Sequence, residues 1–115
     1  MDLKEFVQNF KKKVGPESGM ILIHNGVVRG CSRTGERVAS ITVKADRKKL
    51  GEIMDEASAH QGISAVACHI NEGDLEVGDD IMLLAVAGDI RENVIEALST
   101  ALNRIKNEVT AKQEH

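Results

Sequence analysis

Apolar side chains recur at steps of three and four residues in three stretches of the chain, the spacing that places them on one helical face. The longest stretch covers residues 89–112, and its apolar stripe comprises Val94, Leu98, Ala101, Leu102, Ile105 and Val109. We expect a helix there, with Asp89 as its N-cap and Glu92 completing a capping box. The same spacing predicts a first helix over residues 3–14 and a second that begins after Asp46 and stops at Gly62.

Between the helices, apolar runs bounded by turn residues predict five strands. The runs cover residues 20–28, 38–45, 64–70, 75–77 and 81–87. The second run alternates, so we expect a half-buried strand, whereas the last is apolar throughout and predicts a central strand buried on both faces. Gly26 interrupts the first run, which indicates a bulge or a close backbone approach.

The resulting order, α-β-β-α-β-β-β-α, predicts an α+β fold with helices laid on a mostly antiparallel sheet. The chain has 115 residues, 42% of them hydrophobic, which predicts one domain over residues 1–115 with an aliphatic core. We expect residues 113–115 to be frayed.

The composition argues against several classes of partner. Only 2% of the residues are aromatic, with no Trp or Tyr, so no stacking platform for single-stranded nucleic acid is available. The formal net charge is -3, so any anion site must be a local cluster of cations. No apolar run approaches the ~20 residues of a membrane span and no signal peptide is visible. We therefore expect a cytoplasmic protein that binds neither nucleic acid nor a membrane, with Cys31 and Cys68 as free thiols.

The histidines and glycines do not form a recognisable metal or nucleotide motif. No histidine pairs with another at helical or turn spacing, so we expect neither a metal site nor a bound cofactor. The glycines of the loop at residues 30–35 match no phosphate-binding fingerprint, although Arg33 and Arg37 place two cations nearby. His24 lies in a predicted strand, where it would either belong to the core or line a pocket.

Three cations, Arg29, Arg91 and Lys106, each lie at the end or edge of a predicted buried element. Arginine can bind a carboxylate or phosphate through two parallel hydrogen bonds. A lysine sheltered by apolar neighbours has a lowered pKa and can carry protons or act as a nucleophile. The alternative is that all three are solvated charges whose stems cover apolar surface.

Three segments together resemble the large, catalytic subunit of molybdopterin synthase. Gly19-Met-Ile-Leu-Ile-His-Asn-Gly-Val-Val-Arg29 is similar to the opening strand and glycine-x-valine-arginine motif of that family. Gly73-Asp-Leu-Glu-Val-Gly-Asp79, with the apolar strand after it, resembles the family's central turn and strand. Leu102-Asn-Arg-Ile-Lys-Asn-Glu-Val109 resembles its C-terminal helix. The match runs in the same order from residue 19 to residue 113.

The resemblance implies an α/β-hammerhead fold and a homodimer that binds two copies of a small ubiquitin-like sulfur carrier. The carrier's Gly-Gly tail ends in a thiocarboxylate, and its sulfur passes to cyclic pyranopterin monophosphate to give the dithiolene of molybdopterin. The implied role is therefore sulfur transfer in molybdenum (or tungsten) cofactor biosynthesis. Such a pocket needs fixed cations for a phosphate and a carboxylate-like tail, and a lysine near the acyl carbon.

The resemblance also assigns roles by position. Arg29 matches the family's strand-end arginine, Arg91 matches an arginine used across the dimer interface, and Lys106 matches the first of two active-site lysines. The second lysine aligns with Gln113, and a shift of one residue would give its role to Lys112. The expected catalytic residues are Lys106 and Lys112, and the expected anion-binding residues are Arg29, Arg91, His24 and Gln113.

Two departures from the family leave other functions open. Ile90 replaces the histidine that precedes the second arginine, and Gln113 replaces a lysine. These changes are consistent with a non-catalytic relative that binds the carrier tail, or with a dimeric assembly module without turnover. A third possibility is a structural protein whose cations only decorate its surface.

Overall fold

A computed structural model describes all 115 residues, and it contains three helices and six strands. In chain order they are α1 (Leu3–Lys11), β1 (Met20–Val27), β2 (Ser40–Ala45), α2 (Arg47–Ser58), β3 (Ile63–Ile70), β4 (Gly73–Glu76), β5 (Asp80–Gly88), α3 (Arg91–Glu108) and β6 (Thr110–Glu114). The eight predicted elements occur in the predicted order, and the α+β prediction is confirmed. None of the helices combines the length and apolar character needed to span a lipid bilayer.

Strand β5 is the middle strand of an antiparallel sheet with the order β1-β5-β3. Residues 81–87 are each at most 7% exposed, so the predicted central strand with two buried faces is confirmed. The register of β1 against β5 shifts between Gly26 and Val27, which confirms the bulge predicted at Gly26.

The two faces of β5 contact two separate hydrophobic cores, because side chains of a strand alternate between faces. Leu84 belongs to a cluster of 18 buried residues that includes side chains of α2 and α3. Leu83 belongs to a cluster of six that includes Phe6 and Phe10 of α1. Helix α3 therefore covers one side of the first sheet and α1 covers the other.

A second antiparallel sheet has the order β4-β2-β6. Ile41 and Val43 of β2 are buried, which confirms the half-buried alternation predicted for this strand. Both residues belong to the larger core, so this sheet closes the side of that core that the first sheet leaves open.

The prediction of one helix over residues 89–112 was wrong at its C-terminal end. Helix α3 ends at Glu108, and residues 110–114 form β6. Residues 113–115 are not frayed: the amide of His115 donates to the carbonyl of Ser40 at 2.9 Å, and the amide of Ala39 donates to the carbonyl of His115 at 2.9 Å. The sequence of β6 lacks an apolar alternation, and its conformation depends on pairing with β2, which is distant in sequence.

The predicted capping box at the start of α3 was also wrong. The N-cap is Ile90, which forms no side-chain capping bond. Asp89 lies one position earlier, where its carboxylate accepts hydrogen bonds from the Ile90 amide at 2.6 Å and the Asn93 side chain at 3.0 Å. By contrast, Asp46 caps α2 as predicted. That helix ends at Ser58, and Gly62 (φ 78°) lies in the turn that follows.

Candidate functional site

A cavity of about 580 Å³ lies where the end of β1, the loop after it, the last turn of α3 and strand β6 meet. Its apolar lining includes Val28, Ile41 and Ile81, each less than 10% exposed. Its polar lining includes four cations. The complete set of lining residues is Val27, Val28, Arg29, Cys31, Ser32, Arg33, Thr34, Ile41, Ile81, Lys106, Lys112 and Glu114.

Arg29 and Lys106 both line this cavity, although they lie far apart in the sequence. Arg29 follows the end of β1, and its Nε donates to the carbonyl of Cys31 at 2.8 Å, which fixes the plane of the guanidinium group. Lys106 lies in the last turn of α3, where the carbonyl end of the helix dipole favours a cation. The fold therefore brings these two predicted site residues together.

Lys112 also lines the cavity, whereas Gln113 does not. In the pairing of β6 with β2, Lys112 lies opposite Val43 and Gln113 lies opposite Thr42. Val43 is 1% exposed and belongs to the larger core, so Lys112 projects from the core-facing side of the sheet. Successive residues of a strand project to opposite faces, so Gln113 projects to the other side. The structure does not bring Gln113 into the site.

The cavity is strongly cationic in a chain with a formal net charge of -3. Four cations line it, Arg29, Arg33, Lys106 and Lys112, against one carboxylate, Glu114. None of the four forms an ion pair within 4 Å, whereas Arg47, Arg91 and Arg104 each pair with a glutamate. Converging unpaired cations above an apolar floor can bind an anionic group.

The cations influence one another's protonation. The pKa of Lys112 is lowered, first by partial burial against the protein and then by the nearby charges of Lys106 and Arg33. The pKa of His24 is lowered by burial and then by Lys106 and Lys112, so its imidazole is neutral at pH 7. Lys112 can therefore release a proton more readily than an isolated lysine.

Most of the chain matches one known protein family. The family model described as MoaE protein matches residues 1–108, which is most of the chain. The chain belongs to the MoaE protein family. The family resemblance drawn from the three sequence segments is thereby confirmed.

One relative in sequence and two solved structures are similar to this MoaE family member over most of its length. An uncharacterized protein from Methanocaldococcus jannaschii is 30% identical over 108 residues, which cover 90% of this chain and 87% of that protein. The molybdopterin synthase from Staphylococcus aureus has a similar structure, with a TM-score of 0.83 and 24% identity over 100% of this chain and 85% of that chain. The Helicobacter pylori molybdopterin-converting factor, solved as a complex of subunits 1 and 2, has a TM-score of 0.78 and 16% identity over 99% of this chain and 78% of that chain.

In this MoaE family member, Arg91 lies outside the cavity. It begins α3, whereas Lys106 lies in the last turn of that helix, so one chain places them near opposite ends of an 18-residue helix. The Arg91 side chain is 79% exposed and its Nε lies 3.2 Å from the carboxylate of Glu92. Arg91 therefore lies at the N-terminal end of a partly buried helix, as predicted, with an exposed side chain that does not line the cavity of its own chain.

His24 lies beside the site without lining it. It pairs with Leu84 across the first sheet, so its side chain faces the same core as α3. Its pKa is lowered first by burial and then by the nearby charges of Lys106 and Lys112. Neither interpretation left open by the sequence describes it fully, because His24 is only partly buried and does not line the cavity.

The thiols and carboxylates offer little further chemistry. No group of three or more His, Cys, Asp or Glu side chains is close enough to hold a metal ion. Both cysteines are free. Cys31 is exposed in the cavity lining, whereas burial raises the pKa of Cys68 to about 12 and keeps that thiol protonated.

Sequence reasoning did not assign Arg33 to the site. Arg33 lies within the glycine-containing loop at residues 30–35, and only the fold shows that this loop borders the cavity. The sequence signal was an arginine four residues after a strand-end arginine, which is too common a pattern to identify a site.

Proposed function

We propose that this protein acts as the large subunit of a molybdopterin synthase in molybdenum (or tungsten) cofactor biosynthesis. It would transfer sulfur from a thiocarboxylated ubiquitin-like carrier to cyclic pyranopterin monophosphate. One observation carries the proposal: Arg29, Lys106 and Lys112, from three separate parts of the chain, line one cavity with an apolar floor. Membership of the MoaE family supplies the reaction class.

The proposed roles follow from the charge and position of each side chain. The reaction brings together a thiocarboxylate and a phosphate-bearing pterin, both anionic, so fixed cations must offset their repulsion. Arg29, held by its bond to the Cys31 carbonyl, would orient one anionic group. Lys106 would stabilise the negative charge that forms on the carrier's acyl oxygen when water adds to the acyl carbon. Collapse of that charge breaks the carbon–sulfur bond, leaves the sulfur on the pterin and releases the carrier as a carboxylate. Lys112, whose pKa is lowered, would exchange protons with the reacting groups.

The proposed partner is a small carrier protein with a Gly-Gly C-terminus. A narrow, flexible tail can reach a cavity that is open to solvent on one side and apolar at its base, while the folded body of the carrier stays outside. The Helicobacter pylori molybdopterin-converting factor, a complex of two subunits, provides a structural parallel. Both free cysteines of this chain are compatible with the reducing cytoplasm, where such a carrier would be found.

We further propose that the active form is a homodimer in which Arg91 serves the cavity of the second copy. Within one chain Arg91 cannot reach the cavity, since it starts α3 while the cavity lies at the other end of that helix. Arg91 lies with Ile90 and Met20 around a shallow surface depression, and the Ile90 side chain is a large, exposed apolar group. An exposed apolar group beside an arginine suits a contact between subunits.

The proposal is tested by mixing the purified protein with a thiocarboxylated carrier and cyclic pyranopterin monophosphate. Formation of the dithiolene product supports the assignment. Carrier binding without product would indicate the non-catalytic relative, and absence of both binding and product would indicate a structural role.

A further inference from the structure

The loop that follows β1 forms a closed, hydrogen-bonded turn. The amide of Ser32 donates to the carbonyl of Glu36 at 2.8 Å, and the amide of Gly35 donates to the carbonyl of Ser32 at 3.0 Å. The Ser32 hydroxyl accepts from the Glu36 amide at 3.1 Å. Gly35 has φ 87°, a backbone conformation that a residue with a side chain rarely adopts. These bonds place Arg33 at the tip of the turn.

The tip of this turn borders the cavity, and Arg33 is one of its lining residues. Its guanidinium has no carboxylate partner within 4 Å. Its charge is close enough to Lys112 to lower the pKa of that lysine. Glu114 is the one carboxylate in the lining, and it offsets only part of this repulsion, since the pKa of Lys112 is lowered on balance. An anion bound between the two cations would relieve the rest.

Arg37 provides a comparison within the same loop. It is also exposed and unpaired, and its backbone bridges to Cys31 at the base of the turn. Its side chain, however, does not line the cavity. The two arginines therefore differ in position relative to the cavity while sharing charge, exposure and loop.

We propose that Arg33 is a further anion-binding residue of the cavity, which together with Lys112 binds the phosphate group of the acceptor substrate. This inference rests on the proposed function. A phosphate offers several oxygens to more than one cation, and a guanidinium can bind two of them at once. The carrier tail ends in a single charged group, which Arg29 and Lys106 suffice to bind.

The first experiment measures anion binding without turnover. Inorganic phosphate is titrated into the wild-type protein, Arg33→Gln and Arg37→Gln, and amide chemical shifts around the cavity are followed by NMR. Loss of one charge-assisted hydrogen bond predicts an affinity about tenfold weaker for Arg33→Gln. Arg37→Gln should stay within about twofold of wild type, because only its long-range charge is lost. Equal weakening in both variants, or none in Arg33→Gln, overturns the proposal.

The second experiment separates the two anionic substrates. Arg33→Gln should raise the KM for cyclic pyranopterin monophosphate about tenfold, while the KM for the carrier stays within about twofold. A rise in the KM for the carrier instead would overturn the assignment to phosphate.

The two experiments also distinguish this inference from the proposed function. If phosphate binding depends on Arg33 but the wild-type protein transfers no sulfur, the proposed function fails and the anion site stands. If sulfur is transferred and Arg33→Gln leaves both KM values unchanged, the inference about Arg33 fails and the proposed function stands.

Discussion

Lys112 and Gln113 are neighbours in sequence, yet they project from opposite faces of β6. Lys112 lies opposite the buried Val43 and lines the cationic cavity. Gln113 lies opposite Thr42, whose hydroxyl donates to the carboxylate of Asp74 at 2.7 Å on the outer face. Alignment by position assigned the family's second lysine to Gln113. The pairing of β6 indicates that a shift of one residue restores a lysine to the cavity.

This relationship predicts a contrast between two adjacent substitutions. Lys112→Ala should lower the rate of sulfur transfer about 100-fold, because it removes a proton carrier and a cation from the cavity. Gln113→Ala should stay within about twofold of wild type, since its side chain faces away. Single-turnover rates with saturating carrier provide the measurement. Equal losses in the two variants would show that β6 does not present Lys112 to the substrate.

The second prediction concerns the protonation of His24. Its lowered pKa should appear in an NMR titration of the ring protons as a midpoint below the ordinary value of about 6.5. Replacing both cavity lysines, in Lys106→Ala/Lys112→Ala, should raise that midpoint, although burial, the largest cause, would keep it below the ordinary value. Lys48→Ala removes an exposed lysine that does not line the cavity and should leave the midpoint unchanged.

The same shift predicts how stability depends on pH. Between the ordinary histidine pKa and the lowered value, the unfolded chain binds a proton at His24 that the folded protein does not bind. The contribution of His24 to stability is therefore fully present above about pH 6.5 and decreases as the pH falls through the lowered pKa. Urea unfolding of wild type and His24→Gln between pH 7 and pH 5 measures this difference. Parallel pH profiles of the two proteins would contradict the shift.

The proposed homodimer predicts complementation between two inactive variants. If Arg91 serves the cavity of the second copy, a mixed dimer of Arg91→Ala and Lys106→Ala has one doubly altered site and one intact site. Random reassembly of equal amounts should then recover about a quarter of the wild-type activity, because half of the dimers are mixed and each has one of two sites intact.

The control for complementation combines Lys106→Ala with Lys112→Ala. Both lysines line the same cavity of one chain, so every site in a mixed dimer lacks one of them. This mixture should remain inactive. Recovery in the control, or no recovery with Arg91→Ala, would show that Arg91 does not act across the dimer.

A pair of glycine substitutions tests the packing that positions α3. A Cβ atom at Gly88 would lie 2.5 Å from the carbonyl oxygen of Gly62 and 2.8 Å from Cγ2 of Val94, so Gly88→Ala should destabilise the protein by about 1–3 kcal/mol. A Cβ atom at Gly51, within α2, would have no neighbour within 4 Å, and Gly51→Ala should stabilise by about 0.5–1 kcal/mol. Urea denaturation measures both changes. A neutral Gly88→Ala would contradict the close contact between β5 and the turn before β3.

The elements that local sequence patterns predicted are those with a strong apolar signal. The continuous run of β5 and the alternation of β2 each have a single physical explanation, burial on two faces and on one. Strand β6 lacks such a signal, since its residues Thr110–Glu114 are mostly polar and exposed. The conformation of β6 comes from its pairing with β2. The apolar stripe of α3 continues to Val109 and no glycine or proline follows it, so the local sequence gave no signal that the helix ends at Glu108.

The site was predictable only in part for similar reasons. Arg29 and Lys106 were found because each lies within two residues of the end of a regular element, and such an end can be located approximately from the sequence pattern. Arg33 lies at the tip of an irregular turn, and its place beside the cavity depends on how that turn folds over the core. Arg91 was recognised at the end of the predicted helix, but the helical pattern does not show that the cavity forms at the other end of that helix.

The most direct test of the account is the rate of sulfur transfer by the wild-type protein and by Lys106→Ala. With a carrier shown to be competent with another molybdopterin synthase, the wild-type protein should form the dithiolene product. Lys106→Ala should be at least about 100-fold slower even with saturating carrier, and Lys48→Ala should match wild type. No product from the wild-type protein, or an undiminished rate for Lys106→Ala, would contradict the central claim that the cationic cavity is the site of sulfur transfer.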